Sequence, residues 1–129
     1  MRIVHRLRAL EKNNMTHKNR QGLYEGMYIL SATLSDESRK KAFEKITNGI
    51  TEKGGEIVKL HELGRKKLAY EITGKREGYY YVLYFRAPTR IIVDLWKEYH
   101  LHEDLIRFMT MRTEKVLESM EFKPLKLGA

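Results

Sequence analysis

The chain of 129 residues has no cysteine. That absence excludes a disulfide framework, a thiolate metal centre and cysteine catalysis, and makes a reducing cytoplasm the default setting. No apolar run approaches the roughly 20 residues needed to span a bilayer, so no membrane partner is expected. The amino terminus carries Arg2, Arg6 and Arg8, but Ile3, Val4, Leu7 and Leu10 are interspersed with this charge, and the continuous core of a signal peptide is missing. Serine is absent from residues 1–22, which counts against an organelle transit peptide. There is no Gly-rich phosphate loop and no nucleophile elbow, and the hydroxyl, carboxylate and imidazole groups are scattered. Neither catalysis, a cofactor nor a small-molecule substrate is expected. His100 and His102, followed by Glu103 and Asp104, bring donors close together, yet no further ligands stand at a recognisable spacing, so a solvated turn is read there rather than a metal site.

What the chain does have is charge. Charged residues make up 33% of it, against roughly 25% in typical globular domains, while the 42% that are hydrophobic leave enough for one core. The net charge of +8 is unevenly spread: residues 1–22 hold six Lys/Arg against one Glu, leaving only +3 for the rest. A basic arm on a mildly basic body suits a polyanion. Residues 1–22 lose periodicity after Leu10 and are read as a flexible arm, with Met15 an alternative start.

The domain organises around residues 64–85. Leu68, Tyr70 and Ile72 alternate with Lys67, Ala69 and Glu71, as expected of a half-buried edge strand, whereas residues 79–85 are apolar on both faces and read as a central strand. A tight turn containing Gly74 joins them into a hairpin. Upstream, Tyr24, Tyr28, Leu30, Ala32 and Leu34 share one face of a first strand. Ser35-Asp36-Glu37 then starts a helix whose apolar stripe is Ala42, Phe43, Ile46, Gly49 and Ile50. The strand pattern returns through Val58 and Leu60, breaks near residues 62–67 and resumes; a bulge at Gly64 accounts for the break. Pro88-Thr89 opens a second helix with Ile91, Ile92, Leu95, Trp96 and Tyr99 as its core face, and residues 105–112 form a last strand. Residues 114–129, with Pro124 and Gly128, are read as a tail.

Strand, helix, strand, strand, helix, strand is the α+β, ferredoxin-like βαββαβ arrangement: a four-stranded antiparallel sheet with two helices on one face. The other sheet face is then free to meet a partner. Arg65, Lys66 and Lys67 on the long second strand guard an edge against aggregation and also mark where a partner could add. Arg86 and Arg90 bracket Pro88, either as solvated ends or as contacts to an RNA backbone. Residues 78–84 lie close to the third-strand signature of RNA-recognition motifs, although Glu77 replaces the basic residue and Tyr80 the small one. A stand-alone module binding single-stranded RNA therefore remains an alternative, and it requires Tyr79 and Tyr81 or their opposite-face neighbours to be exposed. An acylphosphatase-like enzyme would share the fold, but Ala32-Thr33-Leu34-Ser35-Asp36-Glu37 would repel an anion where that enzyme needs a Gly-rich loop.

Gly64-Arg65-Lys66-Lys67-Leu68-Ala69-Tyr70-Glu71-Ile72 resembles the signature of the bacterial small-subunit ribosomal protein six family. Tyr24-Glu25, Leu34-Ser35, Gly54-Gly55-Glu56-Ile57, Gly78-Tyr79-Tyr80 and Leu105-Ile106-Arg107-Phe108-Met109-Thr110-Met111-Arg112 follow in the family's order, so the resemblance covers residues 23–113. Ala32 and Glu71 depart from frequent prolines, and His102 from a frequent asparagine. The resemblance implies a non-catalytic, cytoplasmic ribosomal protein that binds the central domain of small-subunit ribosomal RNA as a heterodimer with ribosomal protein eighteen. It assigns Lys66, Lys67, Leu68 and Tyr70 to the protein partner, and Tyr24, Arg107 and the turn of residues 100–104 with His102 to RNA; the basic residues Arg20, Arg65 and Arg112 are added to the RNA set for their charge.

Overall fold

Two Gly-x-Tyr steps, Gly22-Leu23-Tyr24 and Gly26-Met27-Tyr28, set the packing of the first strand. A Cβ added at Gly26 would lie 2.7 Å from ring carbons of Tyr28, so the tyrosine leans along its own strand into space that only glycine leaves open. The computed structural model describes residues 20–72 and 75–118, with residues 69–72 and 75 described by backbone alone. The basic arm up to residue 19 with Met15, the turn residues Thr73 and Gly74, and the tail from residue 119 with Pro124 and Gly128 lie outside the described residues.

The elements are β1 (Gln21–Ser31), α1 (Asp36–Glu52), β2 (Glu56–Ile72), β3 (Lys75–Pro88), a 3₁₀ turn (Thr89–Ile91), α2 (Ile92–Leu101) and β4 (Leu105–Arg112). The sheet order is β2-β3-β1-β4 with every pairing antiparallel, so β3 is central and β2 an edge, as the alternation predicts. Gly64, at φ +84°, sits where the β2–β3 register shifts; the apparent break is a bulge inside one continuous strand, and the cross-strand pairing carries both strands on toward the turn. Ser35 caps α1 by accepting the Ser38 amide at 3.2 Å.

Both helices cover the same sheet face, because Tyr28 packs edge-on against Phe43 of α1 and against Tyr99 of α2. Tyr24, Tyr28 and Leu30 of β1 join Tyr81, Leu83 and Phe85 of β3 and the helix stripes Ala42, Phe43, Ile46, Ile50, Leu95 and Tyr99 in one core. Trp96 departs from expectation: it is 55% exposed. From Ile91 at the end of the 3₁₀ turn the buried stripe continues through Leu95 and Tyr99 of α2, and Trp96 lies about 100° round the helix from Leu95. It rests instead on the His100 ring, at 4.0 Å between centroids. Among the described residues no helix is long and apolar enough to cross a membrane.

The core hydroxyls make stability sensitive to alkali. Burial raises the Tyr28 hydroxyl well above its ordinary value, and burial together with the charge of Glu98 raises Tyr99 to about 12. A raised pKa means that the fold favours the neutral phenol. This contribution is therefore complete below the unfolded tyrosine pKa of about 10 and is lost as pH climbs through the folded values. Unfolding midpoints measured from pH 8 to 12 are expected to hold steady at first and to fall above about pH 10.

Candidate nucleic-acid and partner interface

The register sorts the candidate residues into distinct places. Gln21 pairs with Pro88 and Tyr24 with Arg112, while the Thr89 amide donates to the Arg20 carbonyl at 2.8 Å. Arg20, Arg86, Arg90 and Arg112, all exposed, thus collect at the end of the sheet where β1 begins and β3 and β4 finish. Glu56, opposite Arg86, is the carboxylate set against them on β2. The described chain begins at this same end, with Arg20.

The opposite end is different. Ser31, the last residue of β1, pairs with Gly78, which also pairs with Lys66. The hairpin beyond that level, from Lys67 to Ile72 and back from Lys75, projects past β1 as a two-stranded ribbon. Arg65 does not offer a free charge there: its Nε and Nη2 donate to one oxygen of Glu77 at 2.8 and 2.6 Å. Lys67 is exposed, Lys66 and Leu68 are half-buried, and the Tyr70 side chain lies outside the described residues. Arg107, exposed on β4, pairs with Ile29 and so belongs to this half of the sheet, away from Arg112.

Two residues assigned to RNA by resemblance are interior. Tyr24 is 7% exposed and stacks on Phe85 at 5.6 Å, because the even-numbered face of β1 is the one under the helices. His102 is 8% exposed. Its Nε2 donates to the Ala42 carbonyl of α1 at 3.0 Å and its Nδ1 accepts the Asp104 amide at 3.3 Å, so the ring ties α1 to the turn between α2 and β4. The turn around residues 100–104 is accordingly not uniformly solvated. His100 faces Trp96 and Phe108 instead, and among the described residues no three metal-ligating side chains converge.

The aromatic residues of β3 are also occupied. Tyr81 stacks on Phe43 at 4.4 Å, and Tyr79 carries the Arg39 guanidinium 3.9 Å above its ring. On the opposite face Tyr80, Val82 and Tyr84 are buried too. Burial and the Glu25 carboxylate, which accepts the Tyr84 hydroxyl at 2.8 Å, push that phenol up to about 12. No ring of this strand is presented for stacking on a base. The face expected to be open is crossed by residues 113–118, whose Leu117 carbonyl accepts from His61 and whose Glu118 pairs with Lys59. Sequence periodicity held no signal for these contacts, since their partners lie on β2, more than fifty residues away.

The family model described as Ribosomal protein S6 matches residues 23–112, the span from β1 to β4. The chain belongs to the ribosomal protein S6 family. It is 66% identical over 105 residues to the small ribosomal subunit protein bS6 of Protochlamydia amoebophila, covering 81% of this chain and 92% of the relative. It is 60% identical over 103 residues to bS6 of Chlamydia abortus, covering 80% and 92%. The crystal structure of 30S ribosomal protein S6 from Thermotoga maritima matches with a TM-score of 0.69 at 33% identity, over 73% of this chain and 89% of that one. Membership in the S6 family makes this a ribosomal protein of the small subunit, part of a cytoplasmic ribonucleoprotein that serves translation. The family's ferredoxin-like architecture is the one found here.

Proposed function

We propose that this S6-family protein binds the central domain of small-subunit ribosomal RNA as a heterodimer with ribosomal protein eighteen, in a structural role without catalysis. The observation that carries the reading is the gathering of Arg20, Arg86, Arg90 and Arg112 at one end of the sheet, next to the root of the basic arm. Phosphate contacts of this kind position a protein on RNA and release counterions. Tyr24 and His102 take no part, being committed to the core, and the pairing of Arg65 with Glu77 leaves it little charge to offer. The partner surface is β2, with Lys66, Lys67, Leu68 and Tyr70 on the edge strand that runs into the projecting hairpin. A body of only +3 outside residues 1–22 gives few phosphate contacts, and a second basic protein supplies the rest.

Titrating a central-domain RNA fragment across a salt series, with and without ribosomal protein eighteen, tests this. Tight, salt-dependent binding is expected only with both proteins present. Lys66→Glu combined with Lys67→Glu is expected to weaken heterodimer formation while the thermal midpoint stays within a few degrees of the parent. Sequence-selective binding by the chain alone would overturn the heterodimer reading and favour a stand-alone RNA-recognition module. The occupied faces of Tyr79 and Tyr81 argue against that module.

A further inference from the structure

Past β4 the chain stays on the sheet. The Thr113 amide donates to the Leu23 carbonyl at 2.9 Å, and Thr113 Oγ1 both donates to the Lys115 carbonyl at 3.1 Å and accepts the Lys115 amide at 3.4 Å. The Leu117 carbonyl then accepts from His61 Nε2 at 2.7 Å, and the Glu118 carboxylate meets Lys59 Nζ at 2.8 Å. Lys59 and His61 belong to β2, at the far edge of the order β2-β3-β1-β4. Three strand spacings amount to about 14 Å, and four or five extended residues reach about 13–18 Å. Residues 113–118 therefore cross the face that carries no helix, after a bend at Glu114.

Beneath this crossing lies apolar surface. Val82 and Tyr84 are fully buried although no helix covers their face. The Tyr84 ring meets the edge of His61 at 5.9 Å, and the Leu117 backbone reaches its hydroxyl. The ties across the sheet are nonetheless weak. They comprise a ladder bond at one end, a histidine-to-carbonyl bond, the contact of the Leu117 backbone with the Tyr84 hydroxyl, and an ion pair whose glutamate is 90% exposed. A segment held this way opens at small cost while the sheet below stays intact. Its anchors Lys59 and His61 also lie on the same strand as Lys66, Lys67 and Leu68, so the covered face is continuous with the proposed partner edge.

We propose that residues 113–118 act as an intramolecular strap over Val82 and Tyr84, which ribosomal protein eighteen must displace in order to dock on the sheet; this rests on the heterodimer reading above. The strap competes with the partner for the apolar floor, and Lys59 acts only as its anchor. Heterodimer affinity in the full-length chain tests it, comparing the parent with Lys59→Glu, Glu118→Lys and the exchange that combines both. Each single change breaks the tie and is expected to tighten partner binding about two- to fivefold, the range an exposed ion pair supplies. The exchange restores the tie and should return affinity to the parent value. Hydrogen exchange of residues 113–118 in the free chain provides the second readout: it should quicken in the single variants, slow again in the exchange, and quicken in the parent when partner is added. Single variants that bind more weakly or no differently, or an exchange that fails to restore the parent value, would overturn the strap while leaving the heterodimer intact. Absence of partner binding by all four proteins would overturn the heterodimer reading and the strap with it.

Discussion

Tyr28→Ala is expected to remove about 3–5 kcal/mol of stability, the range for deleting a large buried aromatic side chain. This would consume much of the roughly 5–15 kcal/mol available to a domain of this kind. The reason is position: Tyr28 is fully buried, touches both helices, and shares a 2.9 Å hydrogen bond with the Tyr99 hydroxyl. Thermal denaturation should show a fall in Tm on the order of 20 °C. Finer substitutions separate the ring from its hydroxyl. Tyr28→Phe or Tyr99→Phe alone strands a buried hydroxyl and should cost about 1–3 kcal/mol, whereas the double phenylalanine variant removes both polar groups and should cost less than the two singles together. Additive losses would mean that the two hydroxyls are not coupled.

The second large effect is expected at the arginine end. Arg86→Glu with Arg90→Glu should lower affinity for the RNA fragment, measured in the presence of ribosomal protein eighteen, on the order of 100-fold at 0.1 M salt, and should reduce the salt slope by about two. Both side chains are exposed, so the thermal midpoint should barely move. Arg65→Gln provides the contrast. Its guanidinium already donates two hydrogen bonds to Glu77, and RNA affinity should change less than about threefold. Equal losses in the two variants would show that RNA does not distinguish the arginine end from the hairpin.

Much of the architecture was legible because its causes are local. Ser35 followed by two carboxylates marks a helix start, the stripe from Ala42 to Ile50 marks its buried side, and Gly64 marks a bulge; each feature acts within a turn or a pleat. The interface was less legible. Tyr24 sits in an alternating pattern that defines two faces without saying which one the helices cover, and here both faces of the strand carry apolar residues. His102 looked like part of a polar turn because its partner, the Ala42 carbonyl, lies 60 residues away. Trp96 and Tyr99 share a helical spacing, yet the way α2 enters from its 3₁₀ turn buries one and leaves the other outside.

By itself, then, the sequence determined the order of strands and helices, the bulged edge strand, the central hairpin strand and the motifs of the S6 family. Periodicity and turn chemistry are written in residues that are neighbours along the chain. Only the tertiary structure decided that Arg20, Arg86, Arg90 and Arg112 meet at one end, that Glu77 takes the charge of Arg65, that Tyr24 and His102 belong to the core, and that residues 113–118 close over the helix-free face. Each of these depends on register and crossover between distant segments, and a contact of that kind leaves no periodic mark on either partner.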